Sequence, residues 1–274
     1  MTIILKAKTH CAYTIKILAE LLQHNIKTAC FEVDADGIKL CMMDHHRTIL
    51  INLYLESENF SLYKFKSNKK LFLGINLNHF YKMLKSIKKK DSIQLFIDGK
   101  SPTDLGIKVI PKENNNRVTT SFVKIQDIQT LDIDLPDEYN KSIIVSSSEY
   151  QKMCKDMQNI GTTINVVSSR FSIKFMCDAG GVLKRHVEFG ETDYSDDEDD
   201  EEDTKEEYNA VFNTDQLSRI SKIAGLGNNI QIYSTNGKPL LIKSDVGSLG
   251  KISLYIKSKE LVDRELYEVE SDDE

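Results

Sequence analysis

Hydrophobic and polar positions along the chain follow two periods, and each period predicts a different kind of element. Segments with alternating apolar residues, such as Ile49–Leu55 and Thr163–Val167, have the two-residue period of a β-strand. His10–Leu22 has apolar residues three and four positions apart, which is the period of an amphipathic helix. Asp34-Ala35-Asp36-Gly37 separates two strand-like segments, and its Asp-Gly pair is a strong hairpin signal. The chain is therefore predicted to combine helices with antiparallel strands.

The same patterns predict four helices, two in each half of the chain. After the first, the other three have cap-like residues near their starts: Asn78, Ser147 or Ser148, and Thr214. Each half then follows the order helix, strands, helix, strands over about 120 residues. Two domains of that size can each bury an adequate core.

A six-residue pattern occurs on two of the predicted helices. Residues 80–85 and 150–155 share the order aromatic-x-Lys-Met-x-Lys. Because residues three apart lie on one face of a helix, the aromatic and Met residues should form an apolar stripe and the two lysines a basic stripe. Lysines on an outer face are often only solvated. Their repetition indicates a chain built twice from a helix-then-strand unit, with a repeated surface for a polyanion.

The charge of the chain is unevenly distributed. The net charge is −6, but residues 191–207 carry −11 and residues 260–274 carry −7, which leaves +12 on the remainder. A basic body with two acidic segments suits a protein that meets a polyanion on one surface. Solubility explains the acidic segments equally well. The first of them has too few apolar residues to pack and is predicted to be a disordered loop.

Other classes of protein are not favoured. No apolar segment approaches the roughly 18 residues of a membrane span. The first six residues alternate and predict a strand, not a signal peptide. Five dispersed cysteines without a CxxC pair favour an intracellular, reducing compartment. His45 and His46, near Cys41, match no common zinc spacing. We therefore expect no metal, no cofactor and no membrane association.

Motifs of enzymatic chemistry are also absent from the sequence. It has no GxxxxGK[ST], GxSxG or HExxH motif. Cys154 lies in the middle of a predicted helix, on the face expected to pack, and is interpreted as a core residue. The carboxylates of the acidic segment cannot be held at a working distance in a disordered loop. The protein is not expected to be an enzyme.

Residues 126–136 have a different character from the segments on either side. Apolar residues such as Ile133 and Leu135 lie among acids, and the segment closes at Pro136. This pattern predicts an extended connector on the surface. Its apolar side chains require an apolar surface to lie on.

Several local sequences together resemble one known family. Gly74-Ile75-Asn76-Leu77 and the following Lys82-Met83-Leu84-Lys85, the segment 148–161, Met42-Met43-Asp44, Leu135-Pro136, and Pro239-Leu240-Leu241 with Leu254-Tyr255-Ile256 carry the likeness. Through about residues 5–258 the chain resembles the proliferating cell nuclear antigen family of eukaryotic DNA sliding clamps.

The resemblance implies a fold and a function. The expected fold is α+β, with two similar clamp domains, each having helices on one face of antiparallel sheet, in a closed ring of three chains. The expected boundaries are an N-terminal domain over 1–124, a connector over 125–136, a C-terminal domain over 137–259 with an acidic insertion at 191–207, and an acidic tail over 260–274. The implied function is to encircle double-stranded DNA and act as a polymerase processivity factor and a docking platform for replication and repair proteins.

On this interpretation, cations of the four helices face the DNA. Lysine contacts to phosphates carry no sequence information, so the ring could slide. The predicted DNA-binding residues are Lys16, Lys82, Lys85, Lys152, Lys155, Arg219 and Lys222.

The resemblance also implies a pocket for a short motif of partners such as DNA polymerase and the clamp loader. The predicted lining is Met43, Arg47, Leu50, Ile133, Leu135, Pro136, Pro239, Tyr255 and Ile256. Ordinary core packing explains Leu50 and Pro239 about as well, whereas Ile133 and Leu135 favour an exposed groove. Arg47 stands where the family usually has histidine, and Lys257-Ser258 replaces a usual Ala-Pro.

Contacts between subunits in this family join strand edges, and the resemblance assigns them to Val118–Val123 and Met176–Leu183. Two alternatives remain open: a monomer or dimer that binds DNA on one basic face, and a partner-binding adaptor that is not loaded on DNA. The expected location is the nucleus, or the site of viral DNA replication if the source is a virus.

Overall fold

The computed structural model describes residues 3–112, 117–128, 133–139, 141–169, 171–190 and 208–272. The chain divides into two compact units. The first contains the residues up to Asp134 together with 225–227 and 244–253, and the second contains the rest. The predicted disordered loop at 191–207 lies outside the described residues.

The first unit contains two helices and one antiparallel sheet. Its elements are β1 (Ile3–Thr9), α1 (Ala12–Gln23), β2 (Thr28–Val33), β3 (Gly37–Met43), β4 (Ile49–Glu56), β5 (Leu62–Phe65), β6 (Leu71–Asn76), α2 (Leu77–Leu84), β7 (Ser92–Asp98), β8 (Ser101–Ile110) and β9 (Thr119–Gln126). The strands lie side by side in the order β4-β3-β2-β6-β9-β8-β7-β1-β5. The hairpin predicted at Asp34–Gly37 is confirmed, because Val33 pairs with Ile38 across it.

The core of the first unit lies between its helices and its sheet. Ile15, Leu18 and Leu22 of α1 are buried together with alternate strand residues such as Leu5 and Ile75. These side chains line one small apolar cavity of about 60 Å³. The amphipathic period predicted for α1 is therefore confirmed, and its apolar face is the face that packs on the sheet.

The second unit follows a similar order of a strand, a helix, further strands and a helix, but with four strands instead of five between its two helices and with one additional helix at its end. Its elements are β10 (Ile143–Ser146), α3 (Ser147–Gln158), β11 (Thr163–Ser168), β12 (Ser172–Asp178), β13 (Lys184–Gly190), β14 (Tyr208–Asn213), α4 (Thr214–Ile220), β15 (Asn229–Tyr233) and α5 (Lys259–Asp272). Two further strands, β16 (Leu240–Asp245) and β17 (Gly250–Ile256), belong partly to each unit, since 244–253 lie in the first. Four strands form a sheet in the order β13-β12-β11-β14, and β10 pairs with β15, which pairs with β16. Both units are thus α+β with antiparallel strands, as the sequence predicts.

The repeated six-residue pattern does not mark equivalent helices of the two units. It lies on α2, the second helix of the first unit, and on α3, the first helix of the second unit. The predicted apolar stripe is confirmed in α3, where Tyr150 and Met153 are buried. In α2 it is wrong in part, since Phe80 is buried but Met83 is 37% exposed. The order of elements, and not this motif, carries the internal duplication.

The predicted cap residues are displaced by one or two positions. Asn76, not Asn78, caps α2, because its side chain accepts a hydrogen bond from the His79 amide at 3.0 Å. Asn213, not Thr214, caps α4 and forms a reciprocal capping box with Gln216. Ser146 precedes α3 and makes no side-chain cap bond. Strand residues continue up to each of these caps, which the local sequence does not reveal.

Candidate nucleic-acid and partner-binding sites

The cations of α1 and α2 have different roles in the first unit. The Lys16 ammonium donates hydrogen bonds to the carbonyl oxygens of Lys85 at 2.7 Å and of Ile87 at 3.2 Å. These carbonyls follow the last turn of α2, where a cation is favoured by the helix dipole. Lys82 and Lys85 are exposed. Lys16 therefore joins two helices, and the predicted basic stripe of α2 is open to solvent.

Replacement of Lys16 by methionine is expected to lower the free energy of unfolding by about 1 kcal/mol, because two charge-assisted hydrogen bonds are lost at a partly exposed site. Urea denaturation followed by circular dichroism would measure it. Lys82→Met is the matched control, since the Lys82 side chain is exposed, and should change stability by less than about 0.5 kcal/mol. Equal stabilities of the two variants would contradict the capping role.

The cations of the second unit are more fully neutralised. Lys152 forms an ion pair with Glu149 at 2.7 Å, and this carboxylate raises the pKa of the lysine. Arg219 pairs with Asp215 at 3.1 Å, and its side chain is only 16% exposed. Lys155 is exposed, and within the described parts of the chain it forms no ion pair. Among these side chains, Lys155 is the one best suited to an external anion.

Helices α3 and α4 are held together by polar contacts. The Gln151 side chain donates to the Ser221 carbonyl at 3.2 Å, and Ser218 donates to the Gln158 side chain at 2.8 Å. The predicted fourth helix is shorter than expected, because residues 221–225 form a 3₁₀ turn. Lys222 lies on this turn and is half-buried, so it is not on the same helix as Arg219.

A buried carboxylate fixes the turn between β3 and β4. Asp44 is 2% exposed and accepts hydrogen bonds from the amides of Thr48 at 2.7 Å and Ile49 at 2.9 Å. Within this turn Arg47 is exposed and adopts a φ of 57°, which is uncommon for a residue with a side chain. Leu50 is buried, as the core interpretation expects, whereas Met43 is half-buried. The turn therefore presents Arg47 in a fixed position.

The described residues of the connector that belong to the first unit lie on the face of the first sheet that is turned away from helices α1 and α2. Ile128 packs over Gly74, where an added Cβ would stand 2.8 Å from the isoleucine Cδ1. Ile133 lines a groove of about 440 Å³ together with Phe72, Tyr54, Cys30 and neighbouring strand residues. Two apolar connector residues thus have the apolar support that the sequence analysis required. Residues 129–132 lie outside the described part of the chain.

Tyr139 anchors the end of the connector in the second unit. Its hydroxyl donates to the Pro239 carbonyl at 3.0 Å, and its ring centroid lies 6.3 Å from that of Tyr255. Burial raises the pKa of Tyr139. Leu135 is 41% exposed, whereas Tyr255 and Ile256 are buried. Pro136 and Pro239 are half-buried. The assembly of the predicted side chains into one pocket stays a prediction.

Two family models match the chain in succession. The model for the N-terminal domain of proliferating cell nuclear antigen matches residues 4–135, and the model for its C-terminal domain matches residues 134–259. The chain belongs to the proliferating cell nuclear antigen family. A member of this family from Chaetomium thermophilum, named proliferating cell nuclear antigen, is 24% identical over 261 residues, which cover 93% of this chain and 98% of that protein.

Membership of the proliferating cell nuclear antigen family identifies the chain as a sliding clamp protein of DNA replication and not an enzyme. The interpretation of Cys154 as a core residue agrees with the structure, since it is 1% exposed and burial raises its pKa to about 12. Among the residues that the structure describes, no group of His, Cys, Asp and Glu side chains could hold a metal ion. None of the described helices is long and apolar enough to cross a membrane.

Among the described residues, a strand edge without a partner strand lies at or beside each predicted subunit contact of this family member. In β9, residues Thr119–Lys124 pair with β8, whereas only Ile125 and Gln126 pair with β6. This leaves the second side of the predicted contact Val118–Val123 open. The predicted contact Met176–Leu183 needs correction, because its first residues lie in β12, which pairs with strands on both sides. The edge strand of that sheet next to the predicted contact is β13, Lys184–Gly190.

Lys257-Ser258, which stands where the family usually has Ala-Pro, holds the start of helix α5. Ser258 is buried, and its hydroxyl accepts a hydrogen bond from the Leu261 amide at 3.3 Å at the start of α5. Lys257 pairs with Glu265 at 2.6 Å, and the Glu260 carboxylate accepts from the Val211 amide of β14 at 3.2 Å. The segment that the sequence marks only as an acidic tail therefore begins as a helix docked on a strand edge.

The sequence patterns do not predict two residues that fix backbone near the candidate pocket, Tyr139 and Asp44. Tyr139 lies three residues after the proline that closes the connector, and an aromatic residue there was the available signal. Asp44 belongs to the Met42-Met43-Asp44 motif, and an acid at the start of a turn is a common sign of side-chain to backbone hydrogen bonding. Both residues hold backbone next to predicted pocket residues.

Proposed function

We propose that this chain assembles as a closed homotrimeric ring that encircles double-stranded DNA and acts as a processivity factor. The observation that carries the proposal is that one chain contains both clamp domains, each with an exposed lysine stripe or an unpaired lysine on its helices. Among the predicted DNA-binding residues, the exposed ones with no ion pair within the described parts of the chain are Lys82 and Lys85 in the first unit and Lys155 in the second.

The open strand edges support assembly into a ring. The edges differ, since one belongs to β9 and the other to β13. A contact between two different surfaces is head-to-tail, and such contacts generate rings when the rotation closes. Unpaired backbone groups on strand edges favour pairing with another chain. The exposed apolar side chains Val118, Val182 and Leu183 lie next to these two strands.

The proposed interaction with DNA is electrostatic and independent of sequence. Lysine stems are long and flexible, so their ammonium groups can follow phosphates without fixed geometry. Each contact is weak and sensitive to salt. Retention on DNA would therefore depend on ring closure. The proposed surface retains the predicted residues, with Lys16 and Arg219 contributing mainly through the structure of the helices.

We also propose that partners with short peptide motifs, including DNA polymerase and the clamp loader, bind beside the connector. The exposed Leu135 and the half-buried Met43, Pro136 and Pro239 are available for such a contact. The exposed Arg47 on its fixed turn would favour a partner carrying an acidic residue next to its apolar anchor. The proposed site of action is the nucleus or another site of DNA replication.

Light scattering after size-exclusion chromatography tests the ring. The chain has a mass of 31.3 kDa, so a trimer is expected at about 94 kDa. The same mass across the micromolar range would support closure of the ring. A mass of one chain throughout that range would favour the alternative of a monomer binding DNA on one basic face.

A further inference from the structure

The segment between α2 and β7 carries four exposed lysines. Lys88, Lys89 and Lys90, which we call the basic loop, are all exposed, as is Lys85 between α2 and the loop. Within the described parts of the chain, no carboxylate forms an ion pair with any of them. The helices of the second unit differ, since Lys152 and Arg219 are paired with acids. The basic loop is therefore a concentrated and largely unneutralised positive charge.

The backbone of the basic loop is held in one conformation. The Asp91 amide donates to the Lys88 carbonyl at 3.1 Å, which closes a turn with Lys89 and Lys90 at its centre. The Asp91 carboxylate, in a side chain that is 7% exposed, accepts a hydrogen bond from the Lys88 amide at 2.9 Å. Ile87, which is buried, fixes the other end of the turn. The lysines thus project from a rigid support.

Helix α1 holds the basic loop from the side. Lys16 donates to the carbonyls of Lys85 and Ile87. The ammonium groups of Lys16 and Lys89 lie 5.7 and 6.0 Å from the centre of the same Tyr13 ring. Such cation–π contacts orient ammonium groups without neutralising them. The loop is therefore attached to the helix pair that the proposed function places against DNA.

We infer that the basic loop is an additional phosphate-binding site for duplex DNA, continuous with Lys82 and Lys85 on α2. This inference rests on the proposed function. Lysine ammonium groups are point charges without the planar fork that reads base edges, so the contact would be to the sugar-phosphate backbone. The basic loop would extend the DNA contact past the C-terminal end of α2, and this added affinity would be sensitive to salt.

The test compares two triple variants of the full-length protein. In the first, Lys88, Lys89 and Lys90 are replaced by Gln. In the control, Lys66, Lys69 and Lys100 are replaced by Gln, which changes the net charge equally. Lys66 and Lys69 are exposed, and Lys100 follows the far end of β7, which is seven residues long. At about 3.4 Å per residue, roughly 20 Å of strand separates Lys100 from the loop.

Binding of a fluorescent linear duplex is measured by anisotropy over a series of NaCl concentrations. Each phosphate contact contributes about 0.9 to the slope of log K against log salt. In the loop variant, the magnitude of this slope is expected to be smaller by about 1 to 3, and the affinity at low salt is expected to be lower by about tenfold or more. The control should match the unmodified chain in both. Lys88→Arg, Lys89→Arg and Lys90→Arg together should restore the slope.

The remaining outcomes contradict either the role of the loop or the proposed function. Salt-sensitive binding by the unmodified chain with an unchanged slope in the loop variant would remove the loop's role and leave the proposed function intact. Absence of salt-sensitive binding in the unmodified chain would remove the proposed function and the loop's role with it. A normal slope combined with loss of polymerase stimulation would assign the loop to an acidic protein partner instead. If the loop variant melts at a lower temperature than the unmodified chain, the single variant Lys89→Gln is used in its place.

Discussion

Replacement of Lys82, Lys85, Lys152 and Lys155 by glutamate is expected to reduce affinity for duplex DNA by about 100-fold or more and to abolish polymerase stimulation. Four cations per chain become four anions beside phosphates. Each lost phosphate contact also makes the salt dependence of the remaining binding shallower, so the loss of affinity is largest at low salt. Lys152 should contribute least, because Glu149 already pairs with it at 2.7 Å. A replicative polymerase copying a primed linear template, onto which a ring can thread from an end, provides the measurement.

The matched control for this experiment reverses four lysines elsewhere. Lys66, Lys69, Lys100 and Lys251 are exposed and lie on strands or turns of the first unit. Their reversal changes the net charge equally and should leave stimulation within about twofold. Stimulation that survived reversal of the helix lysines would contradict the role of these lysines and favour a partner-binding adaptor that is not loaded on DNA.

Replacement of Phe175 by alanine is expected to lower the free energy of unfolding by about 4 kcal/mol. Phe175 is fully buried in the middle of β12, and its ring centroid lies 6.4 Å from that of Tyr150 and 6.0 Å from that of Phe189. The variant loses the transfer energy of the ring, both edge-on aromatic pairs and the packing around the cavity. Because the chain has no tryptophan, urea denaturation is followed by circular dichroism.

The control for Phe175 is another phenylalanine of the same unit. Phe171 is 44% exposed, so its replacement by alanine should cost less than about 1 kcal/mol. A similar loss in the two variants would show that the core does not depend on the aromatic cluster. Because β12 supports the open edge strand β13, the Phe175 variant should also populate the trimer less at low micromolar concentration.

Much of the secondary structure follows from period and turn chemistry. The hairpin at Asp34–Gly37, the buried face of α1 and the strands of both units agree with the alternation of residues along the chain. These features depend on neighbours within a few positions, which is the range that a local pattern reports. Helix starts were displaced, because strand pairing extends up to Asn76 and Asn213 before the helices begin.

The sequence predicted which residues form the candidate site, but not which of them are paired with carboxylates. The sequence identifies the lysines of α2 and α3, yet it does not show that Glu149 and Asp215 neutralise two of the cations. The repeated motif was interpreted as a duplicated unit, but it falls on helices that occupy different positions in the two units. A short motif is matched by chance more easily than an order of elements.

By itself the sequence determined the α+β class, the division between a basic body and acidic segments, and the family. Only the tertiary structure decided which cations remain available, which strand edges are open and where Lys16 acts. Lys16 bonds to a carbonyl 69 positions away, and Tyr139 to one 100 positions away. No local period encodes such pairs, because chain folding, and not sequence spacing, sets the distance between them.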